Sequence, residues 1–199
     1  MRYALAPRGV FWSLQGEGHL RGQQMAFVRL AGCSVGCAAC DTDYSVAERV
    51  ELAELVQRVQ DVIPDHARDR WIWITGGEPT DHDLRPLIAA LRRGVAGCAI
   101  AVATSGRRRV VPPVDWLSVT YHGGYELSQR FGHELKLVDG LAEGLTIPAG
   151  ALDFMQYYAQ PLSINGREVD ASLQRCLRWL RERPAWGLSR QDHHAWGVE

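Results

Sequence analysis

The chain has 199 residues, the length of one domain, and 46% of them are hydrophobic, enough for a sizeable core. With 22 Lys and Arg against 23 Asp and Glu, the net charge of -1 gives no basic footprint for nucleic acid or an anionic membrane, which leaves a small-molecule partner as the expectation. No window approaches the roughly 18 apolar residues of a membrane span, and five cysteines, three of them in one short loop, do not suit a secreted disulfide framework, so a reducing, cytoplasmic setting is expected.

Residues 24–30 carry β-branched and aromatic side chains and predict a strand that runs into the glycine- and cysteine-containing loop 32–41. Ser45 and Glu48 have capping-box spacing, and Val50, Leu52, Leu55, Val56, Val59 and Ile63 recur at helical intervals, which predicts an amphipathic helix from about 46 to 63. Trp71-Ile-Trp-Ile-Thr75 predicts a buried strand ended by Gly76-Gly77, and Leu84, Leu87, Ile88 and Leu91 mark the next helix. Strand candidates follow at 98–103, 115–120, 133–138 and 152–159, then a helix over about 168–183 with Leu173, Cys176, Leu177 and Leu180 on its apolar face. Repeated strand-to-helix units predict an α/β fold with a parallel sheet. About six strands with few helices predict an incomplete, TIM-like barrel in a single domain spanning residues 1–199.

Cys33-Ser-Val-Gly-Cys37-Ala-Ala-Cys40 places three thiolates on one tight loop with no fourth cysteine nearby. A 4Fe-4S cluster held by three thiolates keeps one iron open to a substrate or cofactor, a catalytic rather than electron-relaying arrangement. Zinc would close its tetrahedron with a fourth protein ligand and commonly shows paired Cys-x-x-Cys spacing. Cys98 in a strand candidate and Cys176 on a helix face read as small hydrophobes.

The Cys-x3-Cys-x2-Cys loop after a first strand, with a later strand ending Gly76-Gly77-Glu78-Pro79, resembles the radical S-adenosylmethionine superfamily. Phe11-Trp-Ser-Leu-Gln15-Gly16-Glu17-Gly18, Phe27-Val28-Arg29-Leu30-Ala-Gly-Cys33 and Cys40-Asp41-Thr42 narrow the resemblance to the 7-carboxy-7-deazaguanine synthase family. Glu134-Leu-Lys-Leu-Val138, Gln160-Pro161-Leu162 and Leu188-Ser189-Arg-Gln191-Asp-His193 extend it over the whole chain. The resemblance implies a lyase that converts 6-carboxy-5,6,7,8-tetrahydropterin to 7-carboxy-7-deazaguanine with loss of ammonia, through a 5′-deoxyadenosyl radical that is regenerated, in deazapurine biosynthesis of the queuosine type. It implies a homodimer served by a flavodoxin or ferredoxin-type electron donor.

The same resemblance implies residue roles. Cys33, Cys37 and Cys40 would hold the cluster, and Thr42 a Mg2+ ion that bridges the substrate carboxylate, with no catalytic residue assigned beyond the cluster. Leu14, Gln15, Gly16, Glu17, Arg29, Thr75, His193 and the terminal Glu199 would contact the pterin. Arg29 suits a carboxylate by bidentate pairing, and Glu17 suits guanidine-like N–H groups. Ala39, Cys40, Asp41, Gly77, Glu78, Thr104, Thr120, Tyr121, His122, Gln160, Pro161, Leu162 and Ser163 would contact S-adenosylmethionine, some through their main chain.

Three positions depart from the family pattern. Ala39 stands where an aromatic often meets adenine, Ala103 where an acidic residue often binds ribose, and Thr120-Tyr121-His122 in place of a Ser-Pro-Lys segment. Arg107-Arg-Arg109 reads as a solvated loop, and His194 as facing solvent. A glycyl-radical activase would share the cluster loop without needing Gln15, Glu17 or the C-terminal segment, and a non-catalytic metal-binding module would need neither.

Overall fold

The computed structural model describes residues 1–37, 40, 42–140 and 144–198; Ala39, Asp41 and Glu199 lie outside them. A long strand, β1 (Arg2–Leu14), opens the chain and pairs antiparallel with β2 (Gln24–Leu30) on one side and β3 (Glu48–Glu51) on the other. α1 (Leu52–Val62) leads to β4 (Trp71–Gly76), which joins β2 in parallel, and α2 (Leu84–Gly94) leads to β5 (Ala99–Thr104). β6 (Trp116–Tyr121), β7 (Phe131–Val138) and β8 (Asp153–Gln160) add in parallel, so that β2 and β4 to β8 match the six strands expected. A small hairpin of β9 (Ser163–Ile164) and β10 (Arg167–Glu168) precedes α3 (Asp170–Arg181), a short seventh parallel strand, β11 (Gly187–Leu188), and a last turn of helix, α4 (Asp192–Trp196). The strand order β11-β8-β7-β6-β5-β4-β2-β1-β3 is open at both ends, so the sheet winds without closing into a barrel.

Period-two alternation assigns the two faces of this sheet. Val28, Ile72, Ile74, Ile100, Val102, Val119, Leu135 and Leu137 point outward and pack with Leu55 and Val59 of α1 and Leu84, Leu87, Ile88 and Leu91 of α2 in the main core. On the inner face Met25, Phe27, Trp73, Ala101 and Trp116 form a smaller apolar cluster near the amino ends of their strands. The inner positions then turn polar toward the carboxyl ends, with Arg29, Thr75, Thr120, Lys136 and Gln160 lining a cavity. The change from apolar to polar along one face of each strand places that cavity.

The segment expected as one helix from 46 to 63 splits. Residues 48–51 form an edge strand because Val50, 2% exposed, packs in the core opposite Tyr3, and the helix starts at Leu52. Glu48 does not cap; it takes a forked pair from Arg58 at 2.6 and 3.0 Å, which holds its carboxyl below the usual range. The last helix also presents a different face: Ser172 and Cys176 are buried and Trp179 packs on the core, while Leu177 is exposed. Burial pushes the Cys176 thiol up to about 12, consistent with its reading as a small hydrophobe. No helix among the described residues is long and apolar enough to cross a membrane.

Leu87→Ala should cost about 2–5 kcal/mol of stability, since it empties a fully buried site. Leu177→Ala should stay within about 0.5 kcal/mol despite the apolar spacing of its helix. Chaotrope unfolding of the two variants checks both values.

Candidate active site at the carboxyl edge of the sheet

The cysteine loop leaves the end of β2 and is fastened to the end of β4 by backbone alone. Gly77 N–H donates to Leu30 O at 2.8 Å and Glu78 N–H to Gly32 O at 2.9 Å. A Cβ on Gly77 would run into the Gly32 carbonyl and lie 3.1 Å from the Cys33 Cβ, so only glycine permits this approach. Gly32 N–H in turn donates to Tyr44 O at 2.8 Å, which draws the two ends of the loop together. Asp81, in the turn after β4, accepts from Ser34 N and Ser34 Oγ, both at 2.8 Å, and from Arg108 at 2.7 Å. Arg107 donates to Ser34 O at 2.8 Å. The arginine run read as a solvated loop is exposed along its length, yet Arg107 grips the cysteine loop and Arg108 braces the Asp81 that holds it.

Cys33, Cys37 and Cys40 are free thiols that all line one cavity of about 400 Å3. Among the described residues no three His, Cys, Asp or Glu side chains converge on a position for a single metal ion. Burial, with Cys40 and Cys33 nearby, pushes the Cys37 thiol up to about 11. Iron binding is what would deprotonate it near neutral pH. Three thiols on one glycine-bearing loop fit a 4Fe-4S cluster. Thr42 lines the cavity near Cys40, and its hydroxyl is the hard oxygen donor that suits Mg2+, an ion that takes few protein ligands.

Gly77, Glu78, Thr104, Thr120, His122, Gln160, Leu162 and Ser163 line the cavity wall beside this loop. The Glu78 carboxylate is fully engaged within the protein: it accepts from Thr104 Oγ1 (2.6 Å), Ser105 N (2.7 Å), Thr80 N (3.0 Å) and Thr80 Oγ1 (2.6 Å). It braces the end of β4 to the end of β5. Tyr121 and Pro161 are not among the lining residues. The Tyr121 side chain points outward into the main core, and its hydroxyl donates to Tyr125 O at 3.0 Å. Burial pushes the His122 imidazole down to about 4, which keeps it neutral near pH 7. Ser105, which the sequence reading passed over, lines the cavity with a buried hydroxyl that has no hydrogen-bond partner in the protein, so this wall fits a polar ligand such as S-adenosylmethionine.

Leu14, Gln15, Gly16, Glu17, Arg29, Thr75 and His193 line the remainder of the cavity. The Arg29 guanidinium lies 4.7 Å over the Phe11 ring, which steadies its plane. Gln15 Oε1 accepts from Glu17 N at 3.0 Å and stiffens the turn between them. Glu17 forms an ion pair with Lys136, whose side chain is 4% exposed. Lys136 was not singled out from the sequence. Its signal was there, because Glu134 and Lys136 alternate with Leu135 and Leu137 on a strand whose two faces are both covered.

The C-terminal segment closes this side. Asp192 N–H donates to Gly16 O at 3.0 Å, Gly18 N–H to Ser189 Oγ at 3.0 Å, and Arg21 pairs with Asp192. A Cβ at Gly16 would strike His193, so the glycine admits the histidine to the cavity. His194, expected to face solvent, lines the cavity too, its ring 4.1 Å from that of His193.

An open parallel sheet whose carboxyl edge carries a three-cysteine loop against a Gly-Gly-Glu-Pro strand end defines a radical S-adenosylmethionine enzyme. The chain is 33% identical to 7-carboxy-7-deazaguanine synthase of Bradyrhizobium diazoefficiens over an alignment of 218 residues that spans all of both chains, and 32% identical to that of Caulobacter vibrioides, covering 95% and 96% of the two. It belongs to the 7-carboxy-7-deazaguanine synthase family. The crystal structure of QueE from Escherichia coli superposes with a TM-score of 0.72 at 25% identity, over 96% of this chain and 94% of that one. No protein-family model matches the chain.

Asp81→Ala removes the hydrogen bonds that hold Ser34 and Arg108. The reconstituted variant should lose iron to a chelator several-fold faster than the parent, while its unfolding free energy falls by no more than about 1–3 kcal/mol. Iron release followed by absorbance, alongside a melting curve, checks this.

Proposed function

We propose that the cavity binds 6-carboxy-5,6,7,8-tetrahydropterin with its carboxylate on Arg29 and its ring N–H edge on Glu17 and Gln15, and that the enzyme converts it to 7-carboxy-7-deazaguanine with loss of ammonia. One observation carries the reading: Arg29, Glu17 and Lys136 share a single small cavity with the three cysteines. Its volume of about 400 Å3 suits small-molecule ligands. Bound at the cluster, S-adenosylmethionine supplies a 5′-deoxyadenosyl radical; the chain's own residues determine what that radical meets.

Arg29 offers a planar fork to a carboxylate from a guanidinium that lies over Phe11. Lys136 holds the Glu17 carboxylate in place, and because the pair is neutral in sum, a neutral pterin ring can sit against it without an unbalanced charge. Phe27 and Trp73 close the floor, and His193 closes the side through the docked C-terminal segment. Together they exclude water from a reactive site. Thr42 would supply the protein oxygen to Mg2+, with the remaining positions left to substrate and water.

The whole chain acts as one catalytic domain, since residues from Leu14 to Val198 line the cavity. A homodimer is supported by the two open sheet edges, β3 and β11, and by exposed Phe131 and Met155, and a cytoplasmic setting by the free thiols of the cysteine loop. The exposed rim of the cysteine loop suits delivery of electrons by a flavodoxin or ferredoxin-type protein.

The anaerobically reconstituted chain, given 6-carboxytetrahydropterin, Mg2+ and reductant, should form the carboxy-deazaguanine without net consumption of S-adenosylmethionine. Stoichiometric 5′-deoxyadenosine with no ultraviolet-absorbing deazapurine would refute the assignment. Lys136→Met should raise the pterin KM about tenfold or more, equivalent to about 1.4 kcal/mol or more. An unchanged KM would detach the ion pair from substrate binding.

A further inference from the structure

Cys37 Sγ lies 3.0 Å from Nδ1 of His122. The contact joins the loop after β2 to the carboxyl end of β6, across the cavity. As a cluster ligand the Cys37 sulfur is a thiolate and can only accept, so the hydrogen must lie on Nδ1. This holds for the neutral ring and for the imidazolium alike.

His122 is also held in place for such a contact. Its main-chain N–H donates to the Tyr125 hydroxyl at 3.2 Å, and that hydroxyl donates to Ser105 O at 2.8 Å. Tyr125 in turn lies under the Arg107 guanidinium, 5.2 Å from its ring centre, and Arg107 is the residue that grips the Ser34 carbonyl of the cysteine loop. The histidine and the loop it touches are therefore anchored to the same group of side chains.

We propose that His122 is a positioning residue that donates an Nδ1–H···S hydrogen bond to the Cys37 thiolate and thereby raises the reduction potential of the cluster. The inference deepens the cluster reading above and rests on it. Hydrogen bonds to cluster sulfurs draw electron density off the thiolate and stabilise the reduced, more negative state, which makes reduction easier. Where the family resemblance has a Ser-Pro-Lys segment, this chain has a histidine whose ring meets a cysteine of the cluster loop.

The test uses the full chain, reconstituted anaerobically, with the midpoint potential read by EPR-monitored redox titration. His122→Phe should load the same iron and titrate at a more negative potential, and His122→Gln, which keeps an N–H, should recover part of the shift. A His122→Phe protein with full iron and the parent midpoint overturns the proposal. A second measurement does not depend on the variants loading iron. Pulsed EPR of the reduced parent protein labelled with 15N-histidine should show a weak nitrogen coupling. An intact cluster signal without that coupling overturns the proposal, as does a coupling large enough for direct ligation to iron. A parent chain that forms no cluster signal at all refutes the cluster reading, and this inference with it.

Discussion

The close approach of the Gly77 and Gly32 backbones sets the position of everything else at the carboxyl edge. Two hydrogen bonds, Gly77 N–H to Leu30 O and Glu78 N–H to Gly32 O, extend the pairing of β2 and β4 beyond the strands. They carry the cysteine loop onto the sheet instead of letting it project into solvent. Any side chain at Gly77 would separate the two segments, and with them the thiols from the wall formed by the ends of β4 and β5. Glu78 then fixes the second half of that wall, because its buried carboxylate accepts from Thr80, Thr104 and Ser105 together.

Charge is distributed to match. The outer face of the sheet is apolar and packs under α1 and α2, whereas the inner face keeps its charged groups near the carboxyl ends and pairs Glu17 with Lys136. An ion pair at that depth adds little to stability in itself, since desolvation offsets much of the attraction, but it defines where a polar ring can sit. The C-terminal segment completes the enclosure through Ser189, Asp192 and His193, each tied to the turn between β1 and β2 or lining the same cavity. These contacts order the segment against the site it closes.

The parallel strands were legible because each shows a short apolar run ended by polar or glycine residues, and β2 and β4 through β8 fall close to their expected positions. β1 was not, because its pairing slips between Leu5 and Val10, where Arg8 takes a positive φ, and the slip breaks the alternation that reveals a strand. The 46–63 segment misled for the opposite reason: Val50 continues the helical spacing by coincidence, while its partner Tyr3 lies 47 positions away and invisible to a local pattern. At the site, motif residues were legible since their chemistry is local to the sequence. The pairing of Lys136 with Glu17, the role of Ser105 and the clamp of Asp81 with Arg107 and Arg108 were not, because they arise from contacts between distant segments. Tyr121 shows the converse limit: adjacency to Thr120 and His122 put it in the motif, and strand alternation turned its side chain the other way.

The proposed function requires Cys33, Cys37 and Cys40 to hold a 4Fe-4S cluster with one iron left for S-adenosylmethionine. Mössbauer spectroscopy of the chain reconstituted with 57Fe, recorded before and after adding S-adenosylmethionine, tests it most directly. The expected result is a cubane spectrum in which one iron site separates from the other three when the cofactor is added. A single tetrahedral metal ion, or a cluster whose spectrum does not respond, would contradict it.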